Sequence, residues 1–245
     1  MRKFLYGAAV LAVAAPGVAA AEGSGVVGAG YANVDTGSSN NTDVYDLSGA
    51  YSYAFANGWT VQTDAATSRI DSGGSNIAES YGAIHLGLRN DSHALAGFFG
   101  MTDALYSGLD GGLEGQVYVG QLTFDGSVAY ADFDTPDVKL TNVHLGGAYF
   151  LTDDLSLGAE VGYTESDGAG DSHWTTAGVS GAYRFSGTPV SLTLGYQNRS
   201  GDIDADVWKI GFNLDLGSGS LRARSQSGAS WNGASSLNDE VRYAY

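Results

Sequence analysis

Cysteine is absent, which removes thiol catalysis, Fe–S ligation and disulfide stapling together. Basic residues are scarce: 11 Lys and Arg stand against 27 Asp and Glu, a formal net charge of −16. A chain this acidic repels nucleic acid. It suits cationic surroundings, divalent ions included. Proline is scarce too, and Pro136 and Pro189 both fall in expected connections, where a sheet tolerates them. Beyond residue 21 there is no run of about 20 apolar residues, so no helical membrane span is expected. A barrel stays open, because barrel strands alternate and never make such a run.

The first residues are of another kind. Arg2 and Lys3 form a short positive region, residues 4–15 are apolar, and Ala19-Ala20-Ala21 supplies small residues for cleavage. That order is a secretory signal, with a mature chain from Glu22. Without Arg2 and Lys3, 11 basic residues become 9, and the net charge goes from −16 to −18.

From 25 to 216 apolar and polar residues alternate with period two. In 206–216, Trp208, Ile210, Phe212, Leu214 and Leu216 share one face. Lys209, Gly211, Asn213 and Asp215 share the other. Twelve strands are expected, near 25–34, 44–55, 59–70, 78–89, 93–102, 113–122, 127–134, 139–150, 155–165, 174–185, 190–199 and 206–216. A soluble sandwich alternates as well. The connections separate the two. One set is long and rich in Gly, Ser, Asn and Asp: 35–43, 71–77, 103–112 and 166–173. The other is tight: Ala56-Asn57-Gly58, Asn90-Asp91-Ser92, 151–154 and 186–189. Long loops on one side and short turns on the other mark an outer-membrane barrel, with turns to the periplasm and loops outside. Aromatics fall at two levels. Phe55, Trp59, Phe124, Tyr149 and Phe185 lie by the turns, and Tyr163, Tyr196 and Trp208 towards the loops, as interfacial girdles require.

The stretch 149–163, running from Tyr149 through Asp153 and Asp154 to Tyr163, resembles the hairpins of Gram-negative porin-like outer-membrane proteins. The likeness extends loosely over 25–216 and is one of architecture. Segment 209–216, with Lys209, Gly211, Leu214 and Leu216, also resembles the insertion signal of final barrel strands, without the terminal phenylalanine. The resemblance implies an all-β, transmembrane, antiparallel up-and-down barrel. It would be exported to the outer membrane and inserted by the barrel-assembly machinery among lipid and lipopolysaccharide. The expected organisation is a signal at 1–21, a barrel at 22–216 and a tail at 217–245. The tail is expected in the periplasm, as a plug in the lumen, or as an extra hairpin ending in Val241-Arg242-Tyr243-Ala244-Tyr245. That last option would make fourteen strands.

Alternation sends the polar partners inward. Asp46, Asp64, Glu79 and Glu114 are expected on one wall, with His85 and Arg89. Arg184, Arg199, Lys209 and Asp215 are expected on the other, with Glu160 beside them and His144 also inside. Opposed charged walls would set up a transverse field across a narrow wet pore. These residues are therefore the candidate pore lining. The reading that follows is passive diffusion of small hydrophilic solutes or ions, with no cofactor and a mild cation preference. An oligogalacturonate-type porin would want an arginine-lined lumen, and only three inner arginines are expected. A non-channel structural or adhesion barrel, acting through its loops, is the alternative.

Catalytic constellations are weak. Asp171-Ser172-His173 spells a triad, but strand neighbours point to opposite faces. Asn142 and His144 share an inner face, where an inner polar pair is expected, and His173 sits at a loop edge as solvated polar surface. No catalytic residue is assigned. Asp202, Asp204 and Asp206 open like a calcium loop, but the glycine and glutamate that loop needs are replaced by Val207 and Asn213. They remain a weak Ca²⁺ candidate.

Overall fold

The computed structural model describes residues 22–37, 41–103, 107–134, 137–168, 171–217 and 219–242. The signal at 1–21, Pro136 and the terminal 243–245 lie outside the described residues. Twelve strands follow in order: β1 (Glu22–Asp35), β2 (Thr42–Ala54), β3 (Trp59–Ser72), β4 (Ser75–Arg89), β5 (His93–Asp103) and β6 (Ser107–Val119). Then come β7 (Leu122–Phe133), β8 (Val138–Thr152), β9 (Leu155–Asp167), β10 (Ser172–Arg184), β11 (Val190–Gly201) and β12 (Ala205–Leu216). Each pairs antiparallel with its sequence neighbours, and β1 pairs with β12 from Gly25↔Leu216 to Asp35↔Asp206, which closes the barrel. Closure leaves no edge strand to seek a partner. Two short helices follow, α1 (Leu221–Ser227) and α2 (Gly233–Arg242). Neither is long and apolar enough to cross a membrane.

The strands alternate because their residues do. On β3, Thr60, Gln62, Asp64, Ser68 and Ile70 are buried, whereas Trp59, Thr63, Ala65, Thr67 and Arg69 are exposed. The exposed face carries an apolar belt, with Leu95, Phe99, Met101, Leu113, Leu145 and Trp208 each about 60 % accessible or more. In water such a continuous belt would aggregate, and in lipid it is the required surface. Aromatic pairs mark its two borders. Tyr53–Phe55 and Tyr183–Phe185 meet edge to face at the turn end, and Tyr31–Tyr45 and Tyr196–Trp208 meet at the loop end.

The strands run further towards the loops than their sequences suggest. Residues 71–77, expected as a loop, form a hairpin joined at Gly73-Gly74. Both glycines take positive φ (+55° and +89°), the conformation that matches strand twist in a two-residue turn. Most of 103–112, also expected as a loop, is strand: β6 begins at Ser107 and pairs through Gly111 and Gly112 with Phe99 and Phe98. Glycine there marks close approach rather than a break, since a Cβ on Gly112 would lie 2.8 Å from the Phe98 ring. Among the described residues no fourteenth strand forms: Val241 and Arg242, expected as the start of a final strand, belong to α2.

Candidate functional site

The lumen holds the tail. Gly217 and Gly219 adopt positive φ (+87° and +75°) directly after β12, which lets the chain reverse into the barrel. Ser220 then caps α1, its hydroxyl accepting from Ala223 N at 3.0 Å. α1 sits at the turn end, where Arg222 pairs with Asp153 at 3.1 Å and Arg224 pairs with Asp215. α2 lies deeper and ends near the loop end, so the tail threads the lumen from one mouth towards the other. Its Ala234, Leu237 and Val241 fall at helical spacing and pack against Tyr81, Phe98, Phe133, Leu140 and Trp174. The whole group is buried apolar surface, one of three apolar clusters set among the polar residues of the interior.

Polar contacts lock that placement. Glu240 accepts from Trp174 Nε1 at 2.6 Å, Thr176 Oγ1 at 2.8 Å and Arg199 Nη2 at 2.7 Å. Glu79 accepts from Asn238 Nδ2 at 2.8 Å and from Arg242 Nη2 at 3.2 Å. Lys209 pairs with Asp239 at 3.0 Å. Glu114 accepts from Gly233 N at 2.8 Å, which places a carboxylate at the positive N-terminal end of α2. Arg242 occupies its last turn, where a cation is favoured.

Between the helices, Trp231 enters a pocket formed by Ala94, Ala96 and Tyr118. His85 stacks on its indole at 6.2 Å, and the Arg89 guanidinium lies 4.8 Å from the ring centre. His85 is fully buried and bridges Asp64 (Nε2–Oδ2 3.0 Å) and Glu114 through its other nitrogen.

The apolar side of the tail leans on β5–β8, and the wall opposite is reached through polar contacts such as Lys209–Asp239 and Arg224–Asp215. A cavity of about 340 Å³ runs beside it, bordered by β1, β2, β3, β12 and the outer side of α2. At about 30 Å³ per molecule it holds on the order of ten waters. Gly28, Gly30, Ser48, Ala50, Gly211 and Asn213 floor it. Asp46, Asp64 and Asp239 supply negative charge there, and Lys209 and Arg242 positive charge.

The residues singled out from the sequence fall into three settings. Asp46, Asp64 and Lys209 border the cavity. Glu79, His85, Arg89, Glu114, Arg199 and Asp215 face inward and bind the tail or a neighbour that does. The others face inward at one remove from it: Arg184 meets Asp154 and His144 meets Asp125, each at 3.4 Å, both carboxylates accept from the tail at Leu221 N and Asn232 Nδ2, and Glu160 lies beside Gly178. The calcium candidate does not assemble. Asp202 is turned to His173, Asp204 to the backbone of Gly201, and Asp206 to Tyr196 and Asn198. Among the described residues no group of three or more possible ligands could hold a metal ion. Sequence reasoning passed over Asp110, Asp125, Trp231, Asn238 and Glu240. The first two share the inner parity of Glu114 and Ser127, and the signal was there to be used. The tail residues carried no strand period and gave none.

No protein-family model matches the chain, and no curated protein matches it. Solved structures do. The KdgM porin in complex with disordered oligogalacturonate aligns with a TM-score of 0.56 and 14 % identity, over 77 % of this chain and 98 % of that one. The NanC porin aligns at 0.58 and 9 % identity, over 78 % and 100 %. The β domain of the Bordetella autotransporter BrkA aligns at 0.55 and 12 % identity, over 80 % and 100 %. The chain is a closed twelve-strand antiparallel barrel whose fold is similar to that of these outer-membrane barrels. At these identities the likeness is one of fold, and the same frame serves porins and an autotransporter domain.

Proposed function

We propose that the chain is an outer-membrane porin of restricted bore, in which small hydrophilic solutes and ions pass beside an inward-folded tail. The observation that carries this reading is the cavity left along β1, β2 and β12, floored by small residues and bordered by charged ones. A side chain that could have filled it is missing at Gly211, while Gly28 and Gly30 make room for Asn213 and Asp46 beside it and the opposite wall is packed. Opposed charges across a narrow wet gap select by charge and dipole. Three acids against two bases there favour cations mildly, and the rim agrees, with Asp35, Asp43, Asp71, Asp103, Asp132 and Asp167 near the loop end of the strands. The oligogalacturonate of the KdgM complex is a polyanion, and an acidic lining does not suit it. The transport reading needs no cofactor. The apolar belt would face lipid, the acidic rim lipopolysaccharide and its divalent ions, and insertion would use the barrel-assembly machinery after removal of residues 1–21.

The test is conductance of the refolded full-length mature chain in a planar bilayer under a salt gradient. Small, stable steps with a cation-selective reversal potential are expected. A folded protein without steps overturns the reading in favour of a structural barrel, which the packed tail also fits. Adhesion through long loops is disfavoured where the strands extend, as at Gly73-Gly74. Catalysis is disfavoured because His85 and His144 face carboxylates rather than a hydroxyl.

A further inference from the structure

The segment joining α1 and α2 is held by a different chemistry from the helices. Its main chain, rather than its side chains, meets most of the lumen's polar groups. The Gln62 amide donates to Trp231 O at 2.7 Å and accepts from Trp231 N at 3.1 Å, as a neighbouring strand would. Gln116 Nε2 donates to Ser230 O at 2.8 Å. Arg89 donates to Gly228 O, and Glu114 accepts from Gly233 N. Backbone groups are common to every polypeptide, so contacts of this kind hold a chain without reading its sequence. Ser230 Oγ also accepts from Arg89 Nη2 at 3.1 Å and Asn232 Nδ2 donates to Asp125 at 3.2 Å, but two other positions read the sequence by shape. Trp231 fills the pocket of Ala94, Ala96, Tyr118, His85 and Arg89. Two residues on, a Cβ at Gly233 would lie 2.7 Å from the Phe98 ring and 3.2 Å from Ser127, so only glycine fits.

We propose that the inner wall of β3, β4, β5 and β6 is a peptide-binding site for a non-helical segment carrying tryptophan and, two residues later, glycine, and that the chain's own tail is its resident, exchangeable ligand. An aromatic anchor in a built pocket, flanked by sequence-tolerant hydrogen bonds, is how peptide grooves combine affinity with selectivity. The site requires the inward-folded tail to be displaceable. It does not require the barrel to conduct.

The experiment uses the full chain with a protease site inserted in the 217–219 link, folded first and cut afterwards. A fluorescent peptide spanning 219–242 is added, and its anisotropy is followed as it replaces the cut tail. Saturable exchange is expected. Unlabelled peptides carrying Trp231→Ala or Gly233→Leu should compete ~30-fold less well or worse, the effect of losing an anchor of about 2 kcal/mol. A serine–alanine peptide with Trp-Asn-Gly at its centre should compete, and the same peptide with Ala-Asn-Gly should not. Failure of the labelled peptide to exchange, or competition indifferent to both residues, overturns the proposal and leaves the tail a fixed plug. Should the cut chain lose its fold, the uncut one serves. Added peptide should then speed protease cleavage at the 217–219 link, and no acceleration at saturating peptide is likewise fatal. Because no current is read, a barrel that exchanges peptide but does not conduct sinks only the porin reading. One that conducts without exchange sinks only the peptide site.

Discussion

The two inner walls of this barrel obey the same strand period and end in opposite states. The wall from β4 to β8 presents Tyr81, Phe98, Phe133 and Leu140, and a helix lies against it. The middle of the wall of β12, β1 and β2 presents Gly211, Gly28, Gly30, Ser48 and Ala50 to a cavity, while its loop end closes on itself through Val34, Val44, Ile70 and Val207. The apolar stripe of a helix faces one way, and that of α2 packs on Phe98, Phe133, Leu140 and Trp174. The choice of wall is made by side-chain volume. Alternation fixes which residues point inward, and their size then decides where the tail rests and where water stays.

The sharpest way to break the asymmetry is to detach the tail from its wall. Arg199 and Glu240 form a buried pair, their side chains 0 % and 7 % accessible. Removing one partner of such a pair strands the other and costs about 3–5 kcal/mol. Arg199→Met should therefore loosen α2, seen as faster proteolysis at the 217–219 link and larger conductance steps. An unchanged cleavage rate would mean that Trp174 and Thr176 hold Glu240 unaided.

The next effect runs the other way and fills the free wall. A Cβ at Gly211 would lie 3.6 Å from Ala29 O, an ordinary contact, so a larger residue fits there without strain on the sheet. Gly211→Phe should leave heat stability intact and cut single-channel conductance severalfold. Full conductance in a folded Gly211→Phe variant would place the passage elsewhere in the lumen. A gentler change at the same wall tests its charge. Asp46→Asn should move the reversal potential towards non-selectivity with little change in step size, since the carboxylate borders the cavity without blocking it.

How much of this could be seen in the sequence follows from the same contrast. Strand number and sidedness were legible because period-two alternation is local, and Trp208 to Leu216 states it within one strand. The inward parity of Asp46, Asp64 and Lys209 came with it. Strand ends were not legible at Gly108, Gly111 and Gly112, because glycine signals a turn in sequence and room for a neighbouring ring in space. The tail was legible only as an absence of pattern. Its helices are stabilised by tertiary packing on Phe98 and Trp174 and by Glu79, Glu114 and Arg199, partners far away in the chain. The three aspartates at 202, 204 and 206 mimicked a ligand loop because spacing does not reveal that each faces a separate partner.

The smallest effect lies at the boundary between the walls, where Asp239 on α2 meets Lys209 of β12. Burial pushes its carboxyl up, but the Lys209 ammonium and the Arg242 guanidinium outweigh that and hold it below the ordinary carboxylate range. A depressed carboxylate stabilises the docked tail fully above the free value of about 3.9 and loses that contribution as pH falls through its own lower value. Cleavage at the 217–219 link should then be flat from neutral pH down to about 5 and rise only below about 4. With the Asp239 side chain one-third exposed, at 33 %, water screens the pair and the rise should be modest. Asp239→Asn should remove it while leaving the Glu240 clamp in place. If acid loosens the Asp239→Asn chain as much as the parent, the pH response belongs to the other carboxylates that hold the tail, Asp215 of β12 and those of the packed wall, and the Lys209–Asp239 pair plays no part in it.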